Sequence, residues 1–570
     1  MTLARKSLLG TGTGLPRSLQ VLAIVLVLAA GCTSTEGPVV RDQRTTTAPD
    51  DRALPKRIVA AMMSTPSSPV AALARPGSTP GIEVLEELTN AGLVQFDDQG
   101  GLRAQIAEAV PTFENGLWRL LPDGRTSTTW AFRPGAAWHD GTRVSVNDVR
   151  FTLQVGRDPD LPQFRDPAYA LIDSIEANDT RTFTVVWKQP YLKADLLFSR
   201  QPGGARYLLP QHRLGSVYQE SRADFLADAY WTGQFTGTGP YWLQRWEPGQ
   251  GAIFEAFDGY FFGPPVIDLI EVRFVPDANR IGTALVGGLV DVTFGRTLSY
   301  AAANQVREQW RAGRQLAVLA GPVQVTPLQS PQQSDARLRQ ALLLALDRQE
   351  IGDRFVADAV VAQTFVVPGQ SEYASSAGAA TPYPVDLDRA RRLLDDLGFG
   401  RTADGRWVSS SGADAMRVGL AIDAEPNNTL ASLLETGWAQ LGFATCSLGT
   451  ADCTAGASDV VPLALGRGVV DLRDLGRLVP GAQVSIGGGR RAARFSSGAL
   501  GDLVDRYHHS LPSTDRTDAL RAVVRQVSDE VALLPLHYDV RVALVAQRIT
   551  NVSVAPSSTL AWNVDRWDVR

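Results

Sequence analysis

Residues Trp130 to Phe151 read WAFRPGAAWHDGTRVSVNDVRF. Trp130, Phe132 and Arg133 have the composition of a strand end, which Pro134 and Gly135 interrupt. Trp138-His139-Asp140-Gly141 is a tight turn. Ser145 is placed as a helix N-cap with Asp148 three residues on, and Val146, Val149 and Phe151 supply the apolar face. The stretch is therefore a strand, an aromatic-pinned turn and a capped helix. Trp138 and His139 pack and hydrogen-bond the turn. No Ser, Cys or metal-ligand partner lies at a spacing that would make His139 catalytic.

This stretch resembles the signature of the family 5 extracellular solute-binding proteins, the peptide- and nickel-binding components of ABC importers. Other segments are similar to the family in the same order. Leu208 to Leu214 (LLPQHRL) resembles the segment closing a small subdomain, with His212 structural. Gly237-Thr238-Gly239-Pro240-Tyr241 is a second landmark; its glycines are read as permitting backbone angles that a side chain forbids. Gly287 to Val292 resembles the family's Gly-Asp pair, where the chain leaves the first lobe. Leu338 to Ile351 reads as one amphipathic helix with apolar positions 338, 342, 345 and 346. Asp388 to Leu397 is a helix stopped by Gly398, and Leu534-Pro535-Leu536-His537-Tyr538 starts a returning strand.

The chain has 570 residues, a net charge of −5, 44% hydrophobic and 20% charged residues, which allows two or three domains with a large core. No basic run with interleaved aromatics points to nucleic acid. Lysine is rare while Arg and Ala abound, a mark of base composition rather than function.

Residues 1–31 read as a signal peptide: Arg5, Lys6 and Arg17 precede a short apolar run, Leu19 to Ala30. Leu28-Ala29-Ala30-Gly31-Cys32 resembles a bacterial lipobox, departing from it by Ala29 where Leu is usual. That resemblance implies lipidation of Cys32 and an extracytoplasmic protein held to the membrane by this anchor alone. Residues 32–56 are a Thr-, Asp- and Pro-rich tether unable to form a core. Outside the cytoplasm disulfides persist, and the turn-forming residues between Cys446 and Cys453 suit a short hairpin-closing bond. No ligand set for zinc accompanies them.

Apolar strands such as Arg57 to Met63 alternate with amphipathic helices, which argues an α/β chain. A short helix is expected at Gln105 to Pro111. The resemblance implies a two-lobe periplasmic-binding-protein-like fold with an extra small subdomain on lobe I. Lobe I is expected at 57–295 with the subdomain at about 90–215, lobe II at 296–543, and a return to lobe I at 544–570. It further implies a monomer that takes a peptide or other small ligand between the lobes and delivers it to an ABC permease driven by a partner ATPase. Closure is a hinge motion.

Arg206, Tyr207, Tyr230, Trp231, Trp242, Asp471 and Arg494 are the expected ligand contacts, aromatics for stacking and charges for ligand termini. Core packing is the competing reading for Trp231 and Trp242. Residues 454–493 depart from the family, whose peptide-binding members carry an aromatic-Asp-Tyr-x-Asp-Pro run whose acid meets the ligand's ammonium group. Here Val470 to Leu475 reads VDLRDL, so Asp471 or Asp474 either takes that role or pairs with Arg473. No cofactor is expected. A scaffold or regulator of envelope assembly is the alternative function. Enzyme motifs (G-x-S-x-G, H-E-x-x-H, S-x-x-K) are absent, and His508-His509 reads as an exposed helix end.

Overall fold

Two long antiparallel strands, Gly313–Pro327 and Leu534–Ala546, run through the middle of the protein. The computed structural model describes residues 55–74, 79–201, 204–205, 207–409, 414–422, 427–468, 472–473, 475–479, 481–486, 490–510, 513–554, 556 and 559–570. The expected signal segment, Cys32 and the expected tether lie outside them, apart from Pro55 and Lys56. Among the described residues, ten strands form one mixed sheet. Its order is Tyr241–Glu247, Gly251–Ala256, Leu269–Phe274, Arg57–Met62, Val292–Phe294, Leu534–Ala546, Gly313–Pro327, Val460–Arg467, Arg417–Ile422 and Ala444–Ser447. No helix among these residues is long and apolar enough to cross a membrane.

The sheet carries separate cores on its two halves. One cluster joins Ile58, Ile270, Val292 and Leu544 with Trp567 of the C-terminal return. The other joins Val325, Leu342, Leu420, Trp438 and Leu463. Ala303 and Trp310 belong to the first cluster, so packing of lobe I runs past the expected boundary at 295 and reaches the first crossing strand. Both crossing strands serve both halves. Gly313 to Leu319 pairs with Val540 to Ala546, and Pro322 to Val325 pairs with Leu534 to Tyr538. The register shifts between Leu319 and Pro322, where proline offers no N–H to the ladder. Gly321-Pro322 thus marks a change of register inside one strand rather than its end.

The small subdomain is a four-stranded antiparallel sheet, Trp118–Leu120, Thr126–Ala131, Thr182–Trp187 and Ile172–Ala177, with its own core around Trp130, Trp138, Phe183 and Trp187. The capped helix lies against it at Val146–Arg157, and Asp148 accepts the Ser145 N–H at 2.9 Å. Asp148 also accepts the Gln211 N–H at 2.9 Å and the Trp138 indole N–H at 3.4 Å, so one buried carboxylate ties helix, turn and subdomain exit together.

His139 joins the two sequence landmarks. Its Nδ1 accepts the Gly237 N–H and its Nε2–H donates to the Gly239 carbonyl, each at 3.1 Å. With both ring nitrogens engaged by backbone, the imidazole is a clamp. The glycines are needed for space rather than for unusual angles. A Cβ on Gly237 would sit 1.8 Å from the Thr89 carbonyl oxygen, and one on Gly239 2.4 Å from the Asn90 nitrogen. Thr238 meanwhile accepts the Ala91 N–H at 3.1 Å.

Three local expectations change. Residues 105–111 form no helix; Ala107 instead bridges to Phe132. The amphipathic run Leu338 to Ile351 is two helices, Ala336–Leu344 and Arg348–Asp353. Asp347 caps the second by accepting the Glu350 N–H at 2.9 Å, which stops the first. His508 is half-buried, and its Nε2 accepts the Leu475 N–H at 3.2 Å rather than facing solvent.

Burial lowers the His139 pKa from 6.5 to about 4, and burial lowers that of His537 as well. An unfolded imidazole protonates near 6.5, so the stability from neutral His139 is complete above that pH and declines as pH falls from 6.5 to about 4. Thermal melts across this window should show that decline, and His139→Gln should flatten it. Cys446 and Cys453 are bonded, with Cα atoms 6.1 Å apart and Cys453 fully buried. Closing so short a loop restricts the unfolded chain modestly. Replacing both cysteines by serine should lower stability by about 2 kcal/mol in a denaturant titration.

A candidate ligand cleft between the lobes

The strands Arg57–Met62, Leu269–Phe274 and Val292–Phe294 run parallel, so their C-terminal ends share one edge. In an open α/β sheet that edge is where ligands lodge. Gly295 and Arg296 follow directly from one of these strands. The Arg296 guanidinium reaches Asp539 of the second crossing strand at 2.7 Å. Arg467, at the end of the lobe II strand Val460–Arg467, meets the same carboxylate at 3.0 Å. The sheet edge of lobe I therefore opens onto the crossing point, and one acid joins guanidinium groups from both lobes.

Glu87 and Arg200 lie on the lobe I side of this edge, paired at 3.1 Å. Burial pushes the Glu87 carboxyl up to about 7 against the opposing pull of Arg200. Tyr207 lies beside them, and burial first, then the charges of Glu87 and Glu86, hold its phenol well above the usual range. Arg541 donates to the Pro556 carbonyl at 2.7 Å; burial, then Arg200 and Arg296, lower its pKa to about 10.

The lobes also touch away from the crossing point. Arg473 of lobe II pairs with Asp195 on the subdomain turn Ala194–Leu196. Leu192, just before that turn, packs into a lobe II cluster with Phe365, Leu472 and Tyr507. Asp471 and Asp474, the expected partners of Arg473, lie outside the described residues.

The expected ligand contacts scatter. Arg206 and Asp471 fall outside the described residues. Tyr230 and Trp231 are 1% and 2% exposed, inside lobe I. Trp231 donates its indole N–H to the Phe225 carbonyl, and its ring meets Phe164 and Tyr230. Together with Tyr207 they line an internal cavity of about 50 Å³, room for a few waters and too small for a peptide. Trp242 sits on the outermost strand, five strand steps from the crossing strand Leu534–Ala546, roughly 24 Å away. These three aromatics therefore correct the expectation of a stacking surface between the lobes: burial holds two of them and the sheet edge the third. Arg494 lies in lobe II, donating to the Arg477 carbonyl at 3.0 Å and to the Thr326 hydroxyl at 3.4 Å. Burial, then Arg477, lowers its pKa to about 10.

Asp195, Arg200, Arg296, Arg467, Asp539 and Arg541 escaped the sequence reading. They are spread along the chain, with only Asp539 and Arg541 sharing a strand, and carry no motif. Among the described residues no group of three or more His, Cys, Asp or Glu side chains is placed to hold a metal ion.

Residues 110–446 match the model of the bacterial extracellular solute-binding proteins, family 5. The chain is 25% identical over 330 residues to the oligopeptide-binding protein AppA of Bacillus subtilis, covering 56% of this chain and 55% of AppA. It is 25% identical over 329 residues to the glutathione-binding protein GsiB of Escherichia coli, covering 57% and 59%. The chain thus spans little more than half the length of these curated relatives. The structure of AppA from B. subtilis in complex with a nonapeptide superposes with a TM-score of 0.68 at 17% identity, covering 91% of this chain and all of AppA. NikZ from Campylobacter jejuni in complex with Ni(L-His) also gives 0.68 at 17% identity, covering 90% of this chain and all of NikZ. These superpositions show the two-lobe periplasmic-binding fold, and with more than half of its length matching the family model, the chain belongs to the bacterial extracellular solute-binding proteins, family 5.

Proposed function

We propose that this protein is the capture component of an ABC importer, tethered outside the cytoplasm through a lipidated Cys32. It takes a peptide or peptide-like ligand into the cleft between its lobes and delivers it to a membrane permease. The observation that carries this reading is the pair of crossing strands: two cores share one hydrogen-bond ladder whose two register shifts both fall between Leu319 and Gln324. Such a joint lets the lobes rotate without unfolding either core. A ligand that contacts both lobes then shifts the population toward the closed form. Work for import comes from a partner ATPase. The relatives that bind oligopeptides and glutathione support a peptide-like cargo.

A thermal-shift screen against pooled di- to hexapeptides, with scattering measured on each hit, tests this. One ligand class should raise the melting temperature, by an amount equivalent to about 2.7 kcal/mol at a hundredfold excess over Kd, and should contract the particle. A clean cooperative melt unmoved by every pool would sink the reading. The Asp195–Arg473 contact makes a second expectation. Asp195→Asn should enlarge the radius of gyration of the ligand-free protein, because it removes the ion pair joining subdomain and lobe II. An unchanged radius would show that this pair does not hold the lobes together.

A further inference from the structure

Six aromatic rings line the internal cavity of lobe I: Phe164, Tyr169, Tyr207, Tyr230, Trp231 and Phe235. They brace one another. Tyr230 and Trp231 stand at 87° with ring centroids 4.8 Å apart. Phe164 packs on Trp231 at 5.2 Å and Phe235 on Tyr230 at 5.0 Å. Val70 and Ala72, around the turn Ala71–Leu73, form another side. Glu86, from the helix Ile82–Thr89, lines the cavity too and is 3% exposed. Its Oε1 accepts the Ala71 N–H at 2.8 Å, so this carboxylate also holds the turn. Among the described residues of the lining, Glu86 is the one acid or base apart from the tyrosine phenols. The guanidinium groups of Arg200 and Arg213 are not part of the lining. Each pairs with a carboxylate of its own, Glu87 at 3.1 Å and Asp228 at 2.8 Å, so the charge at the cavity wall is that of Glu86.

Water suits this lining poorly. The Thr152 hydroxyl donates to the Asp148 carbonyl at 2.7 Å and accepts the Leu209 N–H at 2.8 Å. The Tyr230 hydroxyl donates to the Thr236 carbonyl at 3.0 Å, and the Trp231 indole N–H to the Phe225 carbonyl. Much of the polar lining is thus engaged within lobe I, whereas a buried water needs about two to four polar partners. The faces of aromatic rings carry negative charge and attract an organic cation, most strongly where water is shut out. A carboxylate beside them acts in the same sense and accepts the cation's N–H. At about 10–15 Å³ for each water-sized body, the cavity of about 50 Å³ holds roughly four, the size of a trimethylammonium ion.

We propose that lobe I carries a binding site for a small alkylammonium ion, seated against the Glu86 carboxylate and enclosed by the rings of Phe164, Tyr230, Trp231 and Phe235. The site draws on no lobe II residue. It stands apart from the cleft and does not depend on what the cleft binds.

Calorimetric titration of the full-length protein with trimethylammonium, tert-butanol and tetraethylammonium tests the assignment, with Glu86→Gln and Phe235→Leu alongside. Trimethylammonium should bind. Its neutral counterpart tert-butanol should bind about tenfold more weakly, and tetraethylammonium, too large for the cavity, should not bind. Glu86→Gln keeps an acceptor for the Ala71 N–H and should weaken trimethylammonium binding about tenfold, the size of one charge-assisted hydrogen bond. Phe235→Leu keeps the wall apolar but removes a ring, and should weaken binding about fivefold. This second variant carries the test if Glu86→Gln does not fold. Scattering on the saturated protein should show no contraction, because the site lies inside one lobe. Silence of trimethylammonium, tert-butanol binding as tightly, or unchanged affinity in a folded variant would overturn the proposal. Contraction of the particle would put the ion in the cleft, which overturns the lobe I site while leaving solute capture standing.

Discussion

Continuity of the two crossing strands is the constraint on which the rest depends. A backbone N–H or carbonyl in the middle of a sheet must be bonded, and Gly313–Pro327 and Leu534–Ala546 satisfy each other along most of their length. Each half of that ladder is then covered by its own apolar core. The ladder shifts only around Leu319 to Gln324, where Gly321 and Pro322 lie. Two separately packed halves joined by one ladder follow from this. The position of the cleft follows too, because the parallel strands of lobe I end at the same edge.

The segments that make the sequence recognisable do mechanical work. The turn Trp138 to Gly141, the Gly237 to Gly239 run and the end of the helix Ile82–Thr89 meet in one place, joined by His139 and Thr238. Asp148 anchors the same region to Gln211. At the other end, Asp291 accepts the Val59 N–H at 2.9 Å and holds Arg548 at 2.7 Å, which binds the C-terminal return to lobe I. These residues fasten the subdomain and the return to lobe I.

Legibility followed the range of the interactions. The capped helix Val146–Arg157 was readable because Ser145 and Asp148 act within one turn. The break after Leu344 was not, because an Asp that caps a second helix looks the same in sequence as one on a polar face. The first crossing strand escaped notice because Gly321-Pro322 normally ends a strand, and only the partner strand makes a register shift tolerable there. Tyr230 and Trp231 drew attention as aromatics; Phe164, far back along the chain, and the neighbouring Phe225 enclose Trp231 inside lobe I.

The sequence by itself determined the class of elements, their order and the landmarks that place the chain in its family. Periodicity, capping and turn chemistry are local, and a linear reading contains them. Tertiary structure alone decided which charges face one another. Asp195 lies 278 residues from Arg473, and Arg296, Arg467 and Asp539 converge from three separate elements. Coulomb interaction depends on distance in space, and the strands that bring these groups together are paired by backbone hydrogen bonds that carry no side-chain signature.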